Sequence, residues 1–332
     1  MHNVMEIASA AVRGSVVASE GKKLVIADLA SIEGRVLAWL AGEEWTLQAY
    51  RDYDAGKGAD LYCVTYGKAF RVDPTTIGKK DPRRQIGKVM DLFLGYGGGV
   101  GAYVTGAATY GIDLEEMAEQ AWPTLPGDVV HDAEGFLEWL REKGGGTYGL
   151  SDKAFVACDS LKRLWRRSRP ETVSMWKELE DAVRSAIENP GVTFPVRKFR
   201  VRRDGAWLRV ALPSGRCLVY PSPQIVGGDI TYMGINQYSR KWQRLKTYGG
   251  KLTENPCQTL AGDVLKHNMP LVEDAGYDLL FTVHDEAVTE APDSPEYSAE
   301  HLASLVATDI EWAPGLPLAA SGFEAYRYRK DD

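Results

Sequence analysis

The chain has 332 residues, of which 44% are hydrophobic and 26% charged, and its net charge is −7. That is enough for one large domain or two modest ones, and it excludes a disordered, collagen-like or disulfide-stapled chain. No apolar run approaches the ~18 residues a membrane helix needs, and residues 1–11 have no basic segment leading into an apolar core, which argues against a secretory signal.

Val4, Ile7, Ala8, Ala11, Val12 and Val16 share one face, which predicts a helix over residues 4–18. Residues 22–28 (KKLVIAD) form an apolar run with a β-branched pair, which predicts a buried strand ending in a carboxylate. Glu33 and Arg35 open a helix that runs to Ala41, where Gly42 stops it. Two more helices are expected near 44–53 and 59–70. Pro82, tolerated in a first turn, starts another that reaches about Tyr96, ahead of Gly97, Gly98 and Gly99. Residues 100–190 read as predominantly helical, with breaks at 123–127, 144–146 and 189–191. Residues 193–201, 206–212 and 216–220 read as strands. Residues 252–275 return to a long helix that Pro270 kinks or ends. Residues 278–284 (DLLFTVH) predict a second apolar strand, with 287–290 as hairpin partner and Asp285 and Glu286 in the turn. The pattern is a mixed α/β unit made from both ends of the chain and interrupted by a helical middle.

The average charge hides a segregation. Residues 161–210 hold 13 Lys and Arg against 6 Asp and Glu; residues 236–251 hold five basic residues and no acid; residues 271–332 hold 14 acids against 3 bases. A basic middle can meet a phosphate backbone, although for any single run a solvated face is the better reading. Cys63, Cys158, Cys217 and Cys257 stand far apart with no CxxC pair, which fits reduced thiols in a cytoplasmic protein.

Two predicted strands end in carboxylate, one at Asp28 and one at Asp285-Glu286. Neighbouring carboxylates repel unless a cation lies between them, and two hard divalent ions bridged by aspartates about 4 Å apart are a standard device for phosphoryl displacement. Taken alone, Asp as a turn former is the better reading. Arg84, Lys88, Leu92 and Tyr96 recur every fourth residue and would share one helix face. Two cations, an apolar side chain and a ring along one stripe could hold a triphosphate and cover a base.

The run Asp28-Leu29-Ala30-Ser31-Ile32-Glu33-Gly34-Arg35 resembles motif A of family A (Pol I-like) DNA polymerases. Arg84, Lys88, Leu92, Tyr96 and Gly97 resemble motif B, and Val283-His284-Asp285-Glu286 resembles motif C. Gln258 and Asp263 lie in a stretch similar to the helix before motif C. The phrases around Gly215 to Pro221 and Thr247 to Leu252 are similar to those of bacteriophage members.

The resemblance implies an α/β (α+β) right-hand polymerase. Its palm, an antiparallel sheet, would comprise residues 1–30 and 251–332. Mostly helical fingers would span 31–250, with an extended insertion around 100–235. It implies template-directed addition of dNTPs to a primer 3′-hydroxyl, with Asp28, Asp285 and the Leu29 carbonyl ligating two Mg²⁺ ions, Mn²⁺ being a substitute. Glu286 would be an accessory carboxylate. Arg84 and Lys88 would meet the β- and γ-phosphates, with Lys88 as proton donor to pyrophosphate. Glu33 would exclude a 2′-hydroxyl, and Leu92 and Tyr96 would face the nucleotide. His284, Gln258, Arg35 and Gly97 would lie along the primer and template. Only 27 residues precede Asp28. The expectation is therefore a split phage enzyme, without thumb or exonuclease, whose second polypeptide supplies the thumb, the front of the palm and a 3′–5′ exonuclease. An exposed edge and apolar patch near residues 4–27 would dock it. Two alternatives stand: a catalytically silent, DNA-binding accessory subunit, and a metal phosphohydrolase of the HD type using His284-Asp285.

Overall fold

The computed structural model describes residues 12–328. In chain order its elements begin with β1 (Lys22–Leu29), α1 (Ile32–Ala41), α2 (Glu44–Asp54), α3 (Leu61–Phe70), α4 (Pro82–Leu94) and α5 (Val100–Tyr110). Four more helices follow: α6 (Leu114–Ala121), α7 (Gly127–Glu142), α8 (Asp152–Ser168) and α9 (Pro170–Glu188). Strands β2 (Thr193–Val196), β3 (Phe199–Asp204), β4 (Trp207–Ala211), β5 (Cys217–Pro221), β6 (Gln224–Val226), β7 (Asp229–Ile235) and β8 (Trp242–Thr247) come next. The chain closes with α10 (Gly249–Asp274), β9 (Asp278–Val283), β10 (Glu286–Pro292), α11 (Ala299–Val306) and β11 (Ala320–Ala325). Two compact units result, one of residues 1–33 with 258–332 and one of residues 34–257. Among the described residues no helix is long and apolar enough to cross a membrane.

The first unit is built on an antiparallel sheet in the order β11-β1-β10-β9. Leu24, Val25, Ile26 and Ala27 are fully buried, as the continuous apolar run requires. Leu24, Ile26, Val288 and Tyr328 form one core cluster, and each such aliphatic side chain contributes roughly 1.5–3 kcal/mol by leaving water. Because β1 is paired on both sides from Leu24 onward, the expected exposed edge does not exist at residues 24–27. The edge strands are β9 and β11; Leu280 and Phe281 are exposed on β9, and Val12 and Val17 are exposed ahead of β1. Most of the helix expected over 4–18 lies outside the described residues. Residues 12–14 are helical, but Val17 bridges Arg327 instead of continuing a helix.

Helix α10 runs through Pro270 rather than ending there. Just before it, the buried Asn268 donates from Nδ2 to the carbonyls of Val306 and Thr308 at 2.9 and 3.0 Å. Val272 beyond it is fully buried. Tertiary anchoring on both sides therefore offsets the backbone donor that proline removes.

The second unit packs helices around Met90, Leu94, Tyr103, Phe155, Leu161, Trp165 and Trp176. Its helices start where the sequence supplies caps: Asp60 accepts from the Cys63 amide, Asp81 from Arg83, Asp113 from Glu115, and Ser151 from Ala154. Helices α3 and α4 approach closely because Gly87 has no side chain; a Cβ there would stand 2.0 Å from the Tyr62 carbonyl oxygen. Two antiparallel sheets, β2-β3-β4-β5 and β6-β7-β8, complete the unit. The single strand expected over 193–201 is a hairpin, turned at Arg197 with φ of 50°. That left-handed backbone is held by the Arg197 guanidinium, which donates to Glu178, Glu171 and the Ala41 carbonyl. Strand β8 forms where the sequence showed only a basic run.

Candidate active site

In the first unit, register places Asp28 of β1 opposite Glu286 of β10. Asp285 stands just before Glu286, in a turn that begins one residue earlier than expected, at His284. His284 is exposed with φ of 57°, and this left-handed residue reverses the chain. The Leu29 amide donates to the Asp285 carbonyl at 3.2 Å, tying that turn to the end of β1. The two carboxyl groups are thereby neighbours of like charge. Asp285 is pushed up to about 6, by burial first and then by the charge of Asp28, with Glu33 adding a further like charge.

Two convergent carboxylates offer hard oxygen donors, and a hard divalent cation between them would relieve the repulsion that raises Asp285. Among the described residues no group of three or more His, Cys, Asp or Glu is arranged to hold a metal ion. The pair would therefore be completed by other oxygens, such as the backbone carbonyl of the buried Leu29. Glu286 differs from its neighbour: it lies buried in β10 and accepts the Tyr328 hydroxyl. Gln258 is an exposed residue of α10.

In the second unit, α4 carries Arg84, Lys88 and Leu92 on one face, as their spacing predicted. Leu92 is 37% exposed. The helix closes at Leu94, so Tyr96 is not part of the stripe but follows in a turn. The Tyr96 carbonyl accepts from the Tyr248 hydroxyl at 3.4 Å. Gly97, with φ of 77°, gives its carbonyl to Arg166 at 3.1 Å. Lys88 stands over the Tyr110 ring at 4.6 Å, and burial, then the charge of Arg84, holds its ammonium below the ordinary lysine range. The Arg84 Nε donates to Asp60, and its guanidinium lies over the Tyr62 ring at 5.1 Å.

Arg35 is placed differently from the expectation that it would lie along DNA. It is 1% exposed, donates twice to Asp54 at 2.6 and 2.7 Å, and stacks on Tyr50. The guanidinium is thus spent inside the unit. Much of the basic stretch 161–210 is likewise used internally. Arg163 and Arg167 reach Asp132 and Asp128, Arg166 holds the Gly97 and Gly98 carbonyls, and Arg169 bonds the buried Asp91 at 2.7 Å. Arg200, Arg202 and Arg209 remain on the exposed face of the four-stranded sheet.

No family model matches the chain. The DNA polymerase of Bacillus phage SP02 is 32% identical to it over 332 residues, spanning 98% of this chain and 44% of that protein. This chain is a relative of Pol I-like DNA polymerases. DNA polymerase I of Chloroflexus aurantiacus is 33% identical over 136 residues, 40% of this chain and 13% of that protein. A solved Pol I-like polymerase domain, from M. smegmatis Pol1 in complex with DNA primer-template and dNTP, shares the fold. Its TM-score is 0.50 at 19% identity, over 97% of this chain and 42% of that chain. The chain thus spans less than half the length of the curated relatives it matches.

Within that Pol I-like fold, sequence reasoning overlooked Asp60 and Tyr62, which hold Arg84. Asp60 was visible as a helix cap, since it precedes an apolar run. Its bond to a residue 24 positions away had no local signal.

Proposed function

We propose that this chain carries the nucleotidyl-transfer centre of a DNA-directed DNA polymerase, adding dNTPs to a primer 3′-hydroxyl under template direction. The observation that carries the reading is the Asp28–Asp285 pair, like charges brought together where two strands end. The same arrangement would be costly and purposeless in a silent accessory subunit. The HD-type reading needs histidine ligands beside Asp285, and nothing in the surroundings of His284 supports it.

Asp28, Asp285 and the Leu29 carbonyl would hold divalent cation, Mg²⁺ being the hard ion their oxygens suit, and two ions being the number the family resemblance suggests. When bound, the cation would acidify the primer hydroxyl and neutralise charge on the leaving pyrophosphate. The protein's own side chains would do the rest. Arg84 would orient the triphosphate through charge-assisted hydrogen bonds. Lys88, its ammonium already loosened by burial, would release a proton to pyrophosphate. Glu33 would crowd the sugar and reject a 2′-hydroxyl. Leu92 and Tyr96 would border the base, and His284 and Gln258 would approach the primer. Primer-template DNA and dNTPs are the partners this chemistry requires. The palm would be residues 1–30 and 251–332, and the fingers residues 31–250. Regions that the phage relative has beyond the matched stretch, on the same polypeptide or a second one, would complete the grip on DNA.

Primer extension with Mg²⁺ and dNTPs, beside Asp285→Ala, tests the reading. Extension that the variant abolishes supports it. Extension that survives in the variant contradicts it.

A further inference from the structure

We propose that Asp60 is a positioning residue for the triphosphate, acting through Arg84; this rests on the reading above that Arg84 receives the triphosphate. Asp60 is immobilised by its own helix. One carboxylate oxygen, Oδ1, accepts from the Cys63 amide at 3.1 Å and caps α3, while the other, Oδ2, accepts from Arg84 Nε. Both side chains are largely buried, 12% exposed for Asp60 and 23% for Arg84. The Tyr62 ring, two residues on, supports the guanidinium from one face at 5.1 Å.

The choice of nitrogen matters. A guanidinium offers five N–H donors in a rigid fork, four of them on its two terminal nitrogens. Asp60 engages Nε, and among the described residues the terminal nitrogens make no further hydrogen bond. Asp60 and Tyr62 thus fix the plane of the fork and leave its tips for an anion. A cleft of about 410 Å³ is lined by Asp60, Cys63, Arg84, Lys57 and Lys79, so two more cations border the same cleft as Arg84. A long side chain that is already ordered loses less entropy on binding, and this preorganisation is the source of the effect. The close packing of α3 on α4 at Gly87 keeps the two partners at bonding distance.

The test compares the unmodified chain with Arg84→Ala, Asp60→Ser and the double variant. Each is titrated with dATP and, separately, dAMP in the presence of Mg²⁺, and its thermal unfolding is recorded. Serine still caps a helix but is too short to hold the guanidinium. The proposal expects Asp60→Ser to remain folded, with a modestly lower melting temperature, and to weaken dATP binding roughly 3–10-fold, an effect of the size of one ordinary hydrogen bond, with dAMP unaffected. The double variant should bind dATP no more weakly than Arg84→Ala alone, since Asp60 has nothing left to position. Unchanged or tighter dATP binding in Asp60→Ser, or losses that multiply in the double variant, would overturn the proposal while leaving the role of Arg84 intact. Unchanged dATP binding in Arg84→Ala would instead overturn the reading on which it rests.

Discussion

The carboxyl groups of Asp28 and Asp285 are neighbours of like charge, although each belongs to a different end of the sequence. Two strands that could have ended on neutral turn residues instead end on neighbouring acids. Asp285 pays for this with an elevated affinity for protons, and that affinity has a measurable consequence for stability.

In chelator-treated buffer, Asp285→Asn should stabilise the chain at neutral pH. A carboxyl raised in the fold from 3.8 to about 6 opposes folding above that range and is neutral below it. The advantage of the asparagine variant should therefore be full at pH 7–8, shrink as pH falls through about 6, and vanish below about 4. Discounted for the partial exposure of Asp285, it amounts to about 1–2 kcal/mol. Thermal unfolding of both proteins across that range checks it; a constant difference would contradict it.

Adding Mg²⁺ at neutral pH should reverse the order. A cation that binds the folded pair stabilises by roughly 2.7 kcal/mol at a hundredfold excess over its dissociation constant. The unmodified chain should gain melting temperature with Mg²⁺ and Asp285→Asn should gain little.

Arg169 and Asp91 make a buried ion pair in which Asp91 also accepts from Thr65 and Trp165. Asp91→Ala would strand the Arg169 guanidinium, which is 5% exposed. The expected loss is about 3–5 kcal/mol, read as a lower urea midpoint.

Gly87→Ala should cost about 1–3 kcal/mol, because the added methyl meets the backbone of α3 and no side chain can yield. A glycine-to-alanine change in a helix is ordinarily stabilising, so the sign of the urea shift is decisive.

Glu33→Ala tests sugar discrimination. If Glu33 rejects a 2′-hydroxyl by crowding, ribonucleotide incorporation should rise about 10–200-fold relative to deoxynucleotide, measured as the ratio of kcat/KM values. An unchanged ratio would remove Glu33 from that role.

The chain's local signals explain which parts were legible. The strands leading into Asp28 and Asp285 stood out because KKLVIAD and DLLFTVH are apolar runs; the first is buried, whereas the second is the edge strand β9, with Leu280 and Phe281 exposed. The α4 face of Arg84, Lys88 and Leu92 followed from spacing alone. What failed depended on distant partners. Arg197 adopts a left-handed turn that no glycine or asparagine announces, because three acceptors hold its guanidinium. Arg35 was read as facing DNA, and Asp54 draws it inside. Pro270 failed to end a helix because Asn268 is anchored across the fold. Tyr96 left the stripe because α4 stops two residues short of it. In each case a tertiary contact outweighed a sound local rule.

The most direct measurement is single-nucleotide incorporation on a primer-template of defined sequence, with Mg²⁺, by the unmodified chain and by Asp28→Asn and Asp285→Asn, repeated with the remaining regions of a phage relative added back. The account predicts that the chain adds the nucleotide complementary to the template base and that either substitution removes this activity, in at least one of the two settings. Incorporation that either variant retains, or that ignores the template base, would contradict it, as would no incorporation in both settings.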